Sequence, residues 1–162
     1  MTQGLADRFR DTMRRTASGV AVLTTDGNAG RAGVTVSTLC SLSMEPPSVI
    51  ACVHRDNRTL DTILKNGAFA ANVLAGDQER IAKAFAGLIP ELRDDRFASG
   101  DWQAAATGAP LLRGALASFD CRTASTHDFG THRILIGEVV DIVSGDGDPL
   151  LFADRSFHRL AA

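Results

Sequence analysis

The segment from Thr35 to Val53 constrains this chain more than any other part of it. It reads as two β-strands joined by a Glu45-Pro46-Pro47 corner, and the first strand carries a hydroxyl at nearly every second position. A buried strand would normally carry valine or isoleucine there. Side chains alternate faces along a strand, so Thr35, Ser37, Leu39 and Ser41 are expected on one face and Val36, Thr38, Cys40 and Leu42 on the other. A face of small hydroxyls leaves room for a ligand. The same pattern also suits an edge strand whose serines and threonines meet water, and the segment alone fits both readings.

A chain of 162 residues, 44% hydrophobic and 22% charged, fits one globular domain over residues 1–162 with a substantial core. Its net charge of −2 and its scattered 17 lysines and arginines give no basic footprint, so no nucleic-acid partner is expected. The first residues show no basic segment leading into an apolar core, and no run of about 18 apolar residues occurs, so neither secretion nor membrane spanning is expected. A cytoplasmic protein is the reading that follows. Cys40, Cys52 and Cys121 lack C-x-x-C spacing and each sits in a strand-like run, predicting buried free thiols. The four histidines are poorly spaced for a metal, and no metal site is expected.

Leu5, Phe9, Met13 and Ala17 recur at helical spacing, predicting an amphipathic first helix that ends near Ser18-Gly19 and docks its apolar stripe. Residues 20–25 read as a strand, Asp26 to Gly30 as a hairpin turn, Arg31 to Ser43 as the hydroxyl-bearing strand, and Ser48 to Val53 as a short apolar strand. Leu60, Ile63 and Leu64 give a short helix stopped at Asn66-Gly67, and Ala68 to Leu74 is again a strand. A helix then opens at residues 77–80, with Ile81, Ala84, Phe85 and Leu88 on one face. Strands dominate the last third. Six or seven strands with few long helices between them predict an antiparallel barrel decorated by helices.

Familiar catalytic patterns are missing: there is no G-x-S-x-G, no P-loop and no H-E-x-x-H, and Gly145-Asp146-Gly147 runs into Asp148-Pro149 as a turn rather than opening a helix. Asn57-Arg58-Thr59, at the start of the Leu60 helix, could seat a phosphate on unpaired N–H groups, with Arg58 adding charge. Asn and Thr there are equally ordinary helix caps. His127 and His132 stand five apart around Gly130 and read as surface histidines in a loop.

Taken in order, certain residues carry a resemblance. They are Phe9-Arg10-Asp11-Thr12-Met13, Gly19 to Thr25, the Thr35 to Val53 pair with Pro46-Pro47, and Asn72-Val73-Leu74. Later come Arg96-Phe97, Trp102, Thr107 to Leu112, Phe119 to Arg122, Gly130-Thr131-His132 and the ending Phe152 to His158. From about Phe9 to Leu160 the chain resembles the flavin reductase-like family of FMN-binding split-barrel proteins, which supply reduced flavin to two-component monooxygenases. It looks nearest to the reductases paired with 4-hydroxyphenylacetate 3-monooxygenase and to those of pyrimidine degradation, with cobalt-corrinoid reductases also similar.

The resemblance implies a mostly β (α+β) fold, an antiparallel split β-barrel with an N-terminal helix and peripheral helices. It implies NAD(P)H:flavin oxidoreductase activity, with NADH or NADPH as hydride donor and FMN or FAD as acceptor, a flavin-dependent monooxygenase partner, and a homodimer. Retained flavin serving another acceptor such as a corrinoid, or flavin binding without turnover, are the alternatives. Thr35, Ser37 and Thr38 would hold the flavin ring and ribityl chain, with Cys52 and Val53 beside the ring through their backbone. Asn57, Arg58 and Thr59 would take the phosphate, and Arg96 and Phe97 would lie near the cofactor. The family's Gly-Asp-His motif falls on Gly130, Thr131 and His132, where His132 would face the nicotinamide nucleotide as the catalytic position. Threonine replaces the aspartate here. The apolar final strand and the Leu5 helix would be candidates for the dimer interface.

Overall fold

The computed structural model describes residues 4–160. In chain order the elements are α1 (Leu5–Met13), β1 (Ser18–Gly19), β2 (Ala21–Thr25), β3 (Ala32–Val36), β4 (Cys40–Met44), β5 (Pro47–His54), α2 (Arg58–Asn66), β6 (Ala68–Val73) and α3 (Glu79–Phe85). Two 3-10 turns, Pro90–Leu92 and Arg96–Ser99, lead to β7 (Trp102–Ala104) and β8 (Pro110–Leu112), then β9 (Ala117–Phe129), β10 (His132–Ser144), β11 (Leu151–Ala153) and β12 (Ser156–His158).

Seven strands form one antiparallel sheet in the order β3-β2-β6-β9-β10-β5-β4. Its two edge strands, β3 and β4, are consecutive in the chain and joined by Ser37-Thr38-Leu39 alone. A link that short forces the sheet to curl until its edges stand side by side, giving a barrel with a seam between β3 and the β4–β5 hairpin. This corrects the single strand expected from Arg31 to Ser43. The alternating hydroxyls continue through the link, but the backbone bends there, so Thr35 and Ser41 do not share one strand face. The Glu45-Pro46-Pro47 corner is present, with a cis peptide bond before Pro46.

Inside the barrel, Leu23, Val34, Val36, Val53, Phe69, Cys121 and Leu135 pack with Leu60 and Ile63 of α2. A second cluster lies outside β2, where Val20, Val22 and Leu74 meet Ile81 and Phe85 of α3, Leu112 and Leu150. β2 thus feeds both clusters, and every one of its residues is buried. Gly137 of β10 lies against Phe69, where a Cβ would collide with the ring, and a register shift between Ile136 and Gly137 bends the strand.

Asn72 of β6 is fully buried and joins four strands. Its amide nitrogen donates to the Val22 carbonyl (3.1 Å) and the Thr24 hydroxyl (3.0 Å), and its oxygen accepts from the Leu112 N–H (2.9 Å) and the Ser118 hydroxyl (2.8 Å).

Several expectations are corrected. α1 ends at Met13, and Ser18-Gly19 instead pairs with β11. Leu5, Phe9 and Met13 remain 79%, 65% and 47% exposed, so the stripe does not dock on its own chain. α3 stops at Phe85 because Gly87 turns the backbone to φ +76°, leaving Leu88 exposed rather than on the helix face. His127 and His132 belong to strands, because β9 and β10 close through a tight turn at Gly130-Thr131, with Gly130 at φ +56°. Of the cysteines, Cys121 is buried, Cys52 half-buried and Cys40 exposed, since β4 is an edge strand. Burial, and then the neighbouring Asp120, push the Cys121 thiol up to about 12.

Asn72→Leu should lower the unfolding free energy by at least about 2 kcal/mol, because each buried polar group left unpaired costs roughly 1–3 kcal/mol. Urea denaturation checks this, and an unchanged midpoint would show that the Asn72 bonds are dispensable.

Candidate functional site

A hollow of about 260 Å³ opens at the seam of the barrel. One wall is Val34, Thr35 and Val36 of β3 with Ser37 and Thr38 of the link; the other is Cys52, Val53 and His54 of β5, with Asn57 and His132 at the ends. The seam is pinned by Thr38, whose hydroxyl donates to the Cys52 carbonyl (2.9 Å) and accepts from the Cys52 N–H (3.0 Å). A side chain thereby replaces the ladder partner that a continued β4 would have supplied, since the β4–β5 register runs on to set Thr38 opposite Cys52. The Thr35 hydroxyl is also spent, donating to the Ala82 carbonyl of α3 (2.8 Å). Ser37 makes no side-chain hydrogen bond among the described residues.

A second hollow, about 560 Å³, shares Asn57 with the first and continues past the start of α2 to Arg96 and Phe97. The two readings of Asn57-Arg58-Thr59 coexist there. The Asn57 side chain accepts from the Thr59 N–H (2.9 Å), an ordinary N-cap, and the Thr59 hydroxyl donates to the Gly33 carbonyl (3.0 Å), fastening the helix to β3. The exposed Arg58 guanidinium has no hydrogen-bond or ion-pair partner among the described residues, so it is open to an anion. Arg96 donates to the Phe85 carbonyl (3.2 Å), and Phe97 stands edge-on to Phe85 with ring centres 5.0 Å apart.

His132 is the first residue of β10 and pairs in register with His54, the last of β5. Their rings meet edge to face, with centres 5.3 Å apart. The Thr131 hydroxyl lies 2.8 Å from His132 Nδ1, which leaves Nε2 as the nitrogen open to a ligand. The hairpin tip carrying His132 is tied down from β5: the Arg55 N–H donates to the Thr131 carbonyl (3.0 Å) and its guanidinium to the Gly130 carbonyl (3.3 Å). Asp128 accepts both hydrogen bonds of a forked contact from Arg133 and lies 3.8 Å from Arg55. The Arg133 bond first, and the Arg55 charge after it, draw the Asp128 carboxyl below its ordinary value. His127 sits farther back on β9, opposite Ile134, and does not line the seam.

The structure therefore gathers Thr35, Ser37, Thr38, Cys52, Val53, Asn57 and His132 around one hollow, and Asn57, Arg58, Thr59, Arg96 and Phe97 around its neighbour. Gly130 lines neither and shapes the turn below His132. His54 is an addition, legible only through the β5–β10 register. Arg31 and Arg93, which also line the second hollow, lie far from Arg58 in sequence and carried no motif. A slot walled by valines and small hydroxyls beside an arginine-lined hollow can accept a flat ring bearing an anionic tail. Among the described residues no carboxylate lines the slot itself.

The model of the flavin reductase like domain family matches residues 13–161. The chain is 38% identical over 156 residues to the FMN reductase (NADH) RutF of Ancylobacter novellus, covering 96% of this chain and 85% of that one. It is 41% identical over 154 residues to the 4-hydroxyphenylacetate 3-monooxygenase reductase component of Pseudomonas aeruginosa, covering 94% and 90%. In structure it is similar to the NADH:FAD oxidoreductase SgcE6 of Streptomyces globisporus in complex with NAD and FAD fragments. That match has a TM-score of 0.89 and 30% identity over 99% of this chain and 97% of the other.

Thr38→Val keeps the side-chain shape but removes the hydroxyl at the seam. Hydrogen exchange at the Cys52 amide should accelerate and stability should fall by about 1 kcal/mol, the typical net value of such bonds, while Thr38→Ser retains both. Unchanged exchange in the valine variant would show that the seam is held by something else.

Proposed function

The chain belongs to the flavin reductase-like domain family, and we propose that it passes hydride from NADH or NADPH to FMN or FAD and releases the reduced flavin to a separate flavin-dependent monooxygenase. The observation that carries this reading is the continuity of the seam: a ring-sized slot, a free guanidinium at one end and a histidine at the other. A flavin bound in the slot supplies a ring that accepts two electrons and a proton as hydride.

The residues of the chain bind and align. Thr35, Ser37 and Thr38 line the slot, and Ser37 has its hydroxyl to spare for the ring or ribityl chain. Cys52 and Val53 form the opposite wall; the Cys52 main chain facing the seam is already held by Thr38, so its part there is steric. Arg58 meets the phosphate, on a helix start that Asn57 and Thr59 hold in place, with Arg96 and Phe97 bounding the space beyond. His132, oriented through Nδ1 by Thr131 and set on the Gly130 turn, presents Nε2 to the nicotinamide nucleotide. Thr131 fixes the ring as an acid would, but brings no charge, which suits a positioning residue in a reaction that needs two rings stacked and no strong base.

The same reading includes a homodimer. Met44 and Ile142, both exposed, line an apolar groove of about 290 Å³ with Pro47 and Val139, an exposed patch of the kind that marks an interface. The unpaired α1 stripe is a second such surface. Three cysteines with no disulfide suit the reducing cytoplasm, and no helix among the described residues is long and apolar enough to cross a membrane.

Steady-state NADH oxidation should depend on added flavin, and His132→Ala should mainly raise the KM for NADH, by roughly tenfold for one lost positioning contact. Unaltered NADH kinetics would remove His132 from the site. Met44, 82% exposed, is the test of the interface: Met44→Asp should shift the particle mass in light scattering from dimer to monomer. A wild-type monomer would refute the dimer.

A further inference from the structure

We propose that the arginine-lined hollow beyond Asn57 seats the adenosine monophosphate half of FAD, making FAD the preferred flavin of this chain; the inference rests on the flavin-reductase reading above. Size is the first reason. At about 560 Å³ the hollow is larger than the ring slot and far exceeds the needs of a terminal phosphate. Cavities of roughly 300–1,000 Å³ enclose whole ligands of drug size.

Charge is the second. Arg31, Arg58, Arg93 and Arg96 all line this space. Arg58 suffices for the one phosphate of FMN, yet the Arg93 guanidinium also has no ion-pair or hydrogen-bond partner among the described residues. Two unpaired cations suit a diphosphate. Asp56, Asp94 and Asp95 line the same hollow, Asp56 4.0 Å from His54 Nδ1 and the other two without side-chain partners among the described residues. Carboxylates repel a bare anion but accept hydrogen bonds from sugar hydroxyls, so the lining matches a ligand that brings a ribose along with its phosphates.

Stacking is the third reason. The guanidinium carbon of Arg31 lies 3.9 Å from the Phe97 ring centre, and Arg31 Nε lies 3.8 Å from Asp26. Phe97 is itself wedged edge-on between Phe85 and Trp102, at 5.0 and 5.1 Å. One face of the Arg31 plane is therefore covered, and the plane is held. The uncovered face is a platform for a nucleobase, which guanidinium planes stack against. The adenosine half of a nicotinamide nucleotide has the same chemistry. Continuity favours FAD: the hollow begins at Asn57 and Arg58, so a group attached to the flavin's own phosphate enters it directly.

Titrations followed by flavin fluorescence, without nicotinamide nucleotide, test this. FAD should bind at least about tenfold more tightly than FMN, the value of one stacked base. Arg31→Ala and Arg93→Ala should remove that advantage while FMN affinity stays within about twofold, and Arg31→Lys, which keeps charge but loses the plane, should behave as Arg31→Ala. Arg58→Ala should weaken both flavins alike. Equal wild-type affinities, or equal losses for both flavins in the Arg31 variants, would overturn the proposal. So would a raised KM for NADH in Arg31→Ala with FAD binding intact, since that assigns the hollow to the other dinucleotide. A chain that prefers FAD but oxidises no NADH would instead sink the reductase reading alone.

Discussion

The seam between β3 and β5 depends on the Thr38 hydroxyl, which takes the place of a ladder partner for the Cys52 main chain. A barrel closed by a full ladder would have no slot, because strands at ladder distance leave space only for their own side chains. A barrel with no bond across the seam would present two open edges. One threonine in the three-residue link between β3 and β4 avoids both outcomes. It holds the edges near each other at one point and leaves a hollow between β3 and β5 along the rest.

Much of the fold was legible because its signals are local. Apolar runs gave β2, β5 and β6; the Asp26 to Gly30 turn and the Asn66-Gly67 stop stand where expected, with Gly67 in the left-handed conformation that ends α2. The bend at Ser37 to Leu39 was not legible, since alternation of hydroxyls and apolar residues runs straight through it and closure of the sheet is a long-range requirement. His54 escaped for a related reason. It follows an apolar strand like any polar terminator, and its place beside His132 is set by the β5–β10 register. Arg31 and Arg93 come to the Arg58 hollow through the hairpin turn and a 3-10 segment, which no spacing rule connects. The extent of the β9–β10 hairpin was misjudged because His127, Asp128 and Thr131 are polar, although all but the turn itself are laddered.

That polarity has its own logic. The outer half of β9 pairs with β10 alone, beyond the reach of β6, so apolar burial cannot hold the tip. Ionic and main-chain contacts do so instead. Arg133 grips Asp128 from within the hairpin, and Arg55 reaches across from β5 to Asp128, Gly130 and Thr131. Exposed pairs of this kind add little to global stability. Their effect is geometric, since they fix the height of His132 above the slot, and Thr131 then fixes its rotation.

The site also divides its polar groups by whether they are already engaged. Thr35 holds α3 through Ala82, Thr38 holds β5, Thr59 holds β3 through Gly33, and Asn57 caps α2. Each was a reasonable ligand contact by residue type, yet each spends its side chain on keeping the walls in place. Among the described residues, Ser37, Arg58, Arg93, Asp94, Asp95 and His132 Nε2 keep polar groups without a partner. A ligand that met them would disturb no bond that shapes the seam. The walls can therefore stay rigid whether the slot is full or empty, a property suited to a protein that must release its flavin as readily as it binds it.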